Sequence, residues 1–161
     1  MNPQVLIVIG SKSDHEIMNE CVLLLKDFDI DVEYTVASAH RAPQKVSDLA
    51  SHAEERGIKV IIAGAGGAAH LPGVIAAQTS LPVIGVPMPT SHLNGIDSLL
   101  SIVQMPAGIP VATVALGKAG AKNAALLAIQ IMALNDQKLA NKLKTFRKEQ
   151  TEKSLNVKLS D

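Results

Sequence analysis

Apolar residues in this chain come in short dense blocks, separated by stretches in which they recur every third or fourth position. Five blocks, "QVLIVIG", "DVEYTVA", "KVIIAG", "LPVIGV" and "IPVATVAL", are rich in β-branched residues and short enough to be strands. Helical patterns follow them. "DHEIMNECVLLLKDF" opens on Asp14 as a candidate N-cap, and "APQKVSDLASHAEERG" has Pro43 near its start and Gly57 just past its end. The first, third, fourth and fifth strands are apolar almost without interruption, which predicts burial on both faces. Parallel strands covered by helices meet that requirement, so the expected fold is α/β with a doubly wound five-stranded sheet.

After the fifth strand, "AGAKNAALLAIQIMALNDQKLANKLKTFRKEQ" is more helix than a five-stranded sheet needs. Its first half is apolar nearly all round and rich in alanine, so burial is expected on two sides, against the sheet and against a neighbouring subunit. In the second half Leu139, Leu143 and Phe146 fall at i, i+4 and i+7, flanked by Lys138, Lys142, Lys144 and Arg147. That stripe suits a helix folded back on its own domain, or an arm reaching another protomer. No long repeat, low-complexity tract or linker divides the chain. It reads as one domain over 1–161, with a core over 1–134 and a C-terminal helical arm and tail over 135–161.

Composition narrows the function classes. The 161 residues are 47% hydrophobic, enough for one compact domain with a sizeable core. Fifteen basic side chains balance fifteen acidic ones, and no block of one sign occurs, so neither nucleic acid nor a membrane surface is an expected partner. The single cysteine, Cys21, sits in the apolar run "CVLLL", where it reads as a core thiol with no partner for a disulfide or a thiolate metal site. "MNPQVLIVIG" lacks the basic start and long apolar stretch of a signal peptide, and no apolar run is long enough to span a bilayer. A soluble cytoplasmic protein is expected.

In doubly wound sheets ligands bind outside the carboxyl ends of the strands, where the strand order reverses. With a flavodoxin-like order of 2-1-3-4-5, the loops "GSKSDH", "SAHRAP" and "GAGGAAHLPG" become neighbours. "GSKSD" joins a glycine leaving a buried strand to two serines and a helix start, which supply amide and hydroxyl donors for an anion. An ordinary turn in which Ser13 or Asp14 caps the helix would look the same. Arg41 favours the anion: its guanidinium offers phosphate a planar two-pronged contact near Ser11, leaving Asp14 to accept from sugar hydroxyls.

Gly64, Gly66 and Ala69 imitate a dinucleotide fingerprint, but no Asp or Glu occurs between Glu55 and Asp97 to hold a ribose. Gly66 and Gly67 instead suit close approach of backbone amides to a flat ligand, with His70 at the pocket edge, or else simple tight packing at positive φ. His40, beside Arg41 and two converging loops, is the candidate proton-transfer residue, since imidazole both donates and accepts near neutral pH. The five histidines lack the spacing or cysteine company of a zinc site, so no metal is expected. His52 reads as a solvated helix residue, and the roles of His15, His92 and Lys118 are open.

Taken in order, "GSKSD", "SAHR", "GAGGAAHLPG" and "GIDSLLSIVQMPAGIPVATVALGKAGAKNAALLA" closely resemble the bacterial type of the N5-carboxyaminoimidazole ribonucleotide mutase family, the catalytic subunit of phosphoribosylaminoimidazole carboxylase. The resemblance covers almost the whole chain and implies a three-layer flavodoxin-like fold, a homo-octamer and a step of purine biosynthesis. It makes His40 the proton-transfer residue and assigns the ribose phosphate to Ser11, Asp14 and Arg41, with Ser38 in the same "SAHR" motif. Ala65, Gly66, Gly67, His70 and Leu71 resemble the segment that encloses the imidazole and carboxylate. Ala107 stands where some relatives carry arginine, a departure that touches only peripheral contacts.

The chemistry implied is transfer of a carboxylate from the exocyclic nitrogen of a ribonucleotide to a ring carbon, with neither metal nor biotin. Three other readings stay open at this point. A flavin- or nucleotide-binding module would share the fold, although 2% aromatics leave little to stack on an isoalloxazine. A direct carboxylase using free carbon dioxide, or a purely structural assembly protein, would also carry these loops.

Overall fold

The computed structural model describes residues 2–157, and the last four residues of the expected tail, 158–161, lie outside them. Five parallel strands form one sheet in the order β2-β1-β3-β4-β5: β1 Val5–Ile9, β2 Val32–Val36, β3 Val60–Ala65, β4 Val83–Pro87 and β5 Ala112–Thr113. Successive connections carry α1 (His15–Asp27, after a 3-10 turn over Lys12–Asp14), α2 (Pro43–Ser51), α3 (Leu71–Ala76) and α4 (Ile96–Val103). Two further helices, α5 (Gly117–Ala133) and α6 (Gln137–Leu155), follow β5.

The alternation of side chains along each strand divides the core into two layers. Val5, Ile7, Ile9, Ile62, Ile84 and Val86 face α1 and α5, meeting Met18, Leu25, Ala124 and Ala128. Leu6, Val8, Ile61 and Ala63 face the other way, onto Val46 and Ala50 of α2, Ile75 of α3 and Ile102 of α4. Helices thus cover both faces, giving the three-layer flavodoxin-like architecture. Every residue of β1, β3 and β4 is buried, as their unbroken apolar character requires. Burial of one such side chain contributes roughly 1.5–3 kcal/mol. Exposed bridges such as Lys118–Glu16 are screened by water and contribute little beside that. Sheet burial therefore sets strand register.

Two expectations change. The fifth strand is not buried on both faces: β5 is two residues long and pairs with β4 alone, with Ala112 exposed and Thr113 half-buried. As the sheet edge it has one neighbour, and Pro110 offers no N–H to extend the ladder. The second helix stops at Ser51 rather than near Gly57, because residues 52–56 tighten into turns before Gly57 reverses the chain at φ 87°. Within the chain, α5 packs against the sheet and against α1. Glycine is needed in the first turn of α5, where a Cβ on Gly120 would collide with Ala115 O of the segment entering the helix. Lys118–Glu16 at 2.8 Å and Lys122–Glu20 at 3.2 Å bridge the exposed rim of the α1–α5 pair.

The apolar stripe of α6 is taken up by its own domain. Leu139 is buried and Leu143 and Phe146 pack partly, with Phe146 edge-on to Phe28 at 5.5 Å. Asp136 caps α6 through Leu139 N–H, and Lys142 reaches Asp29 at 2.9 Å. From Arg147 onward every described residue of the arm is exposed. Among the described residues no helix is long and apolar enough to cross a membrane.

Candidate active site

The loops leaving β1, β2, β3 and β4 at their carboxyl ends surround one cleft of about 340 Å³, beside the switch point between β1 and β3. Ser11, Asp14, Ser38, His40, Arg41, Ala65, Gly66, His70 and Leu71 line it. The volume falls in the range of small-molecule sites. Gly67 is not on the lining. Its φ of 66° turns its N–H away onto Ser98 Oγ, 2.9 Å distant, so the positive-φ alternative describes this glycine. Gly66 does face the cleft, and a Cβ there would meet Met88 Cβ at 3.4 Å, an ordinary contact.

Arg41 is held from two directions. Its Nε–H donates to Ser38 Oγ at 3.4 Å, and Nη2–H donates to Gly10 O at 3.3 Å, which ties the second loop to the first. Ser38 Oγ also accepts from the Arg41 backbone N–H at 3.3 Å, so this serine orients the arginine. In the first loop Ser13 N–H donates to Ser11 Oγ at 3.3 Å, and Ser13 Oγ lies 2.9 Å from Ser11 Oγ while its one hydroxyl proton can donate to Asp14 Oδ1 at 3.2 Å. Asp14 occupies the N-cap position of α1, but its side chain makes no capping bond. Burial pushes its carboxyl above the usual carboxylate range, against the opposing pull of hydrogen bonds from Ser13 and Ser11. A carboxylate kept partly desolvated and uncapped at a cleft wall is available to a ligand's hydroxyl groups.

On the same lining His40 Nε2 and His70 Nδ1 lie 2.6 Å apart, with the rings nearly perpendicular. One nitrogen must donate and the other accept at that separation, since two facing lone pairs would repel. The pair is therefore a proton-sharing unit on the lining of the cleft that also carries the anion-suited serines and arginine. Among the described residues no group of three His, Cys, Asp or Glu side chains could hold a metal ion.

The remaining histidines do not join this wall. His15 Nδ1 bonds Tyr34 Oη at 3.1 Å in a separate depression that includes Lys12, with the tyrosine hydroxyl pushed up to about 12, chiefly by burial. His52 ends α2 and is exposed, while His92 is exposed and absent from the lining. Cys21 is buried, and desolvation lifts its thiol to about 12, leaving it inert. Sequence reasoning missed the fourth wall, Met88, Pro89 and Thr90 after β4. The available signal was "VPMPTSHLNG" following a buried strand, a loop at the same sheet end.

The family model described as AIR carboxylase matches residues 4–153. The chain is 59% identical over 157 residues to N5-carboxyaminoimidazole ribonucleotide mutase of Saccharolobus solfataricus, covering 98% of each chain. It is 56% identical over 155 residues to the mutase of Bacillus subtilis, covering 96% of this chain and 95% of that one. Among solved structures, Treponema denticola PurE superposes with a TM-score of 0.85 at 30% identity, covering 95% of this chain and 94% of that one. With the family model spanning nearly the whole chain and these relatives matched end to end, the chain belongs to the AIR carboxylase family.

Proposed function

We propose that the cleft converts N5-carboxyaminoimidazole ribonucleotide to 4-carboxyaminoimidazole ribonucleotide, with His40 carrying the proton. Family membership makes the chain an enzyme of purine biosynthesis, and relatives at 55–59% identity are named mutases, which favours isomerisation over carboxylation with free carbon dioxide. The observation that carries the finer reading is the presence of the His40–His70 pair on the lining of the same small cleft as Ser11, Asp14 and Arg41.

In this reading Arg41 and the serines of the first loop grip the ribose phosphate, and Asp14 accepts from the sugar hydroxyls. Ala65, Gly66 and Leu71 form the small wall against which the imidazole lies. The exocyclic N–carboxylate bond breaks, the nitrogen takes a proton from His40, and carbon dioxide is released within the cleft. The electron-rich ring carbon then attacks carbon dioxide, and the proton it sheds returns to His40, so protons balance over the cycle. Holding carbon dioxide beside the carbon replaces a bimolecular encounter with a near-attack geometry. Binding energy at the phosphate, remote from the reacting atoms, positions the ring. His70 shares the His40 proton and fixes that ring's orientation.

A homo-octamer in the cytoplasm belongs to this proposal, and the exposed apolar residues Leu93, Ile96, Leu100 and Val103 on and before α4 offer a face for neighbouring copies to cover. The deciding assay follows carboxylate migration by the purified protein in bicarbonate-free buffer. Turnover of the N5-carboxylated substrate is expected. Activity only with aminoimidazole ribonucleotide and added bicarbonate would replace the mutase reading with direct carboxylation.

A further inference from the structure

We propose that Ser98, on α4 and outside the cleft, is a positioning residue whose hydroxyl pins together the two cleft walls that follow β3 and β4. Its side chain is fully buried, the sole polar or charged residue so placed among the described residues. Ser98 Oγ–H donates to Met88 O at 2.8 Å, and Oγ accepts from Gly67 N–H at 2.9 Å. One hydroxyl therefore joins the loop carrying His70 to the loop carrying Met88, Pro89 and Thr90. One turn further along α4, Ser101 Oγ–H reaches Gly67 O at 3.5 Å, so the helix holds both ends of this glycine.

The choice of residue is informative. Serine is an indifferent helix former, and a buried hydroxyl is tolerated only when its hydrogen bonds are made, so an apolar side chain would serve bare packing as well. What alanine could not supply is the fixed spacing between the Gly67 amide and the Met88 carbonyl. His70 stands three residues beyond Gly67, and its 2.6 Å contact with His40 tolerates little displacement. The phosphate-gripping residues Ser11 and Arg41 have no bond to Ser98; they are tied to each other's loops through Gly10 and Ser38. Loss of the Ser98 hydroxyl should thus disturb proton transfer and leave the phosphate grip intact.

The proposal rests on the mutase reading for its kinetic arm. Ser98→Ala, near-isosteric Ser98→Cys and hydroxyl-retaining Ser98→Thr are compared with the full-length wild type for kcat, affinity for 4-carboxyaminoimidazole ribonucleotide, thermal melting and amide hydrogen exchange. The alanine and cysteine variants should lose about 10- to 100-fold in kcat, the scale of a misplaced catalytic group, with ligand affinity within about twofold of wild type. Ser98→Thr should recover more of kcat than Ser98→Cys. Exchange should accelerate over residues 66–71 and 88–90 but not over 10–14. Unchanged kcat, a parallel fall in affinity and kcat, or loss of cooperative melting would each overturn the positioning role. A wild type without carboxylate migration would instead refute the mutase reading, and the exchange pattern alone would then decide whether Ser98 pins the loops.

Discussion

Replacing Arg41 with alanine separates ligand grip from loop anchoring. A guanidinium has five N–H donors. Nε–H is engaged by Ser38 Oγ and one Nη2–H by Gly10 O, which leaves three for a ligand and fixes the plane they lie in. A phosphate in the cleft would take two of them in a forked contact. Hydrogen bonds to charged groups contribute roughly 1.5–3 kcal/mol each, so two in a dry site would reach about 3–6 kcal/mol. Arg41 is exposed at the rim, where water competes and screening lowers the value to about 2–3 kcal/mol. That corresponds to a loss of about 30- to 150-fold in Kd. Isothermal titration with 4-carboxyaminoimidazole ribonucleotide and with its dephosphorylated nucleoside measures the effect directly. In Arg41→Ala the nucleotide should lose most of its advantage over the nucleoside, whose own affinity should barely change. Arg41→Lys, retaining charge without the fork, should recover less than half of the binding free energy. If arginine served only to tie Gly10 to the second loop, both ligands would weaken together; an unchanged nucleotide-to-nucleoside ratio in Arg41→Ala would refute the phosphate assignment.

His40→Asn should bind nucleotide and melt like wild type while kcat falls by about 10²- to 10⁴-fold, the usual contribution of a general acid–base group; near-parental turnover would remove His40 from proton transfer. Burial raises the Asp14 carboxyl in the folded protein, so ionising it costs stability as pH rises through the unfolded value of 3.8, in full above the folded value and not at all at low pH. Asp14→Asn should therefore melt higher than wild type at pH 7, by no more than about 3 °C, and equally near pH 3, while binding nucleotide more weakly; a lower melting point at pH 7 would contradict this. Deleting residues 136–161 removes Leu139, Leu143 and Phe146 from the core and should destabilise by about 3–5 kcal/mol, whereas deleting 147–161 should cost the isolated domain under about 1 kcal/mol. Sedimentation of both truncations then tests the arm in assembly: an octamer surviving the longer deletion unchanged would show that α6 does not hold copies together.

Much of this protein is local in origin. Five apolar blocks became the five strands because β1, β3 and β4 are apolar on both faces, and only a central position in a helix-covered sheet can bury such a strand. The candidate loops were legible for the same reason, since strand–loop–helix punctuation places "GSKSD", "SAHR" and "GAGGAAH" at one end of the sheet. Local pattern could not tell an edge from a centre. "IPVATVAL" is as apolar as the central strands, yet only two of its residues pair, because being last in the order is a property of the sheet. Nor could periodicity name the partner of the stripe Leu139, Leu143 and Phe146, which Phe28 supplies from more than a hundred residues earlier in the chain. In the cleft, the chain named His40 and Arg41 as chemistry, but separations of thirty residues hide the His40–His70 contact and the reach of Arg41 to Gly10. Gly66 and Gly67 look interchangeable in the sequence; only the backbone, with φ of 66° at Gly67 and Ser98 waiting behind it, turns one to the cleft and the other into the wall. Contacts between residues distant in sequence depend on how the layers close, and that closure made the cleft.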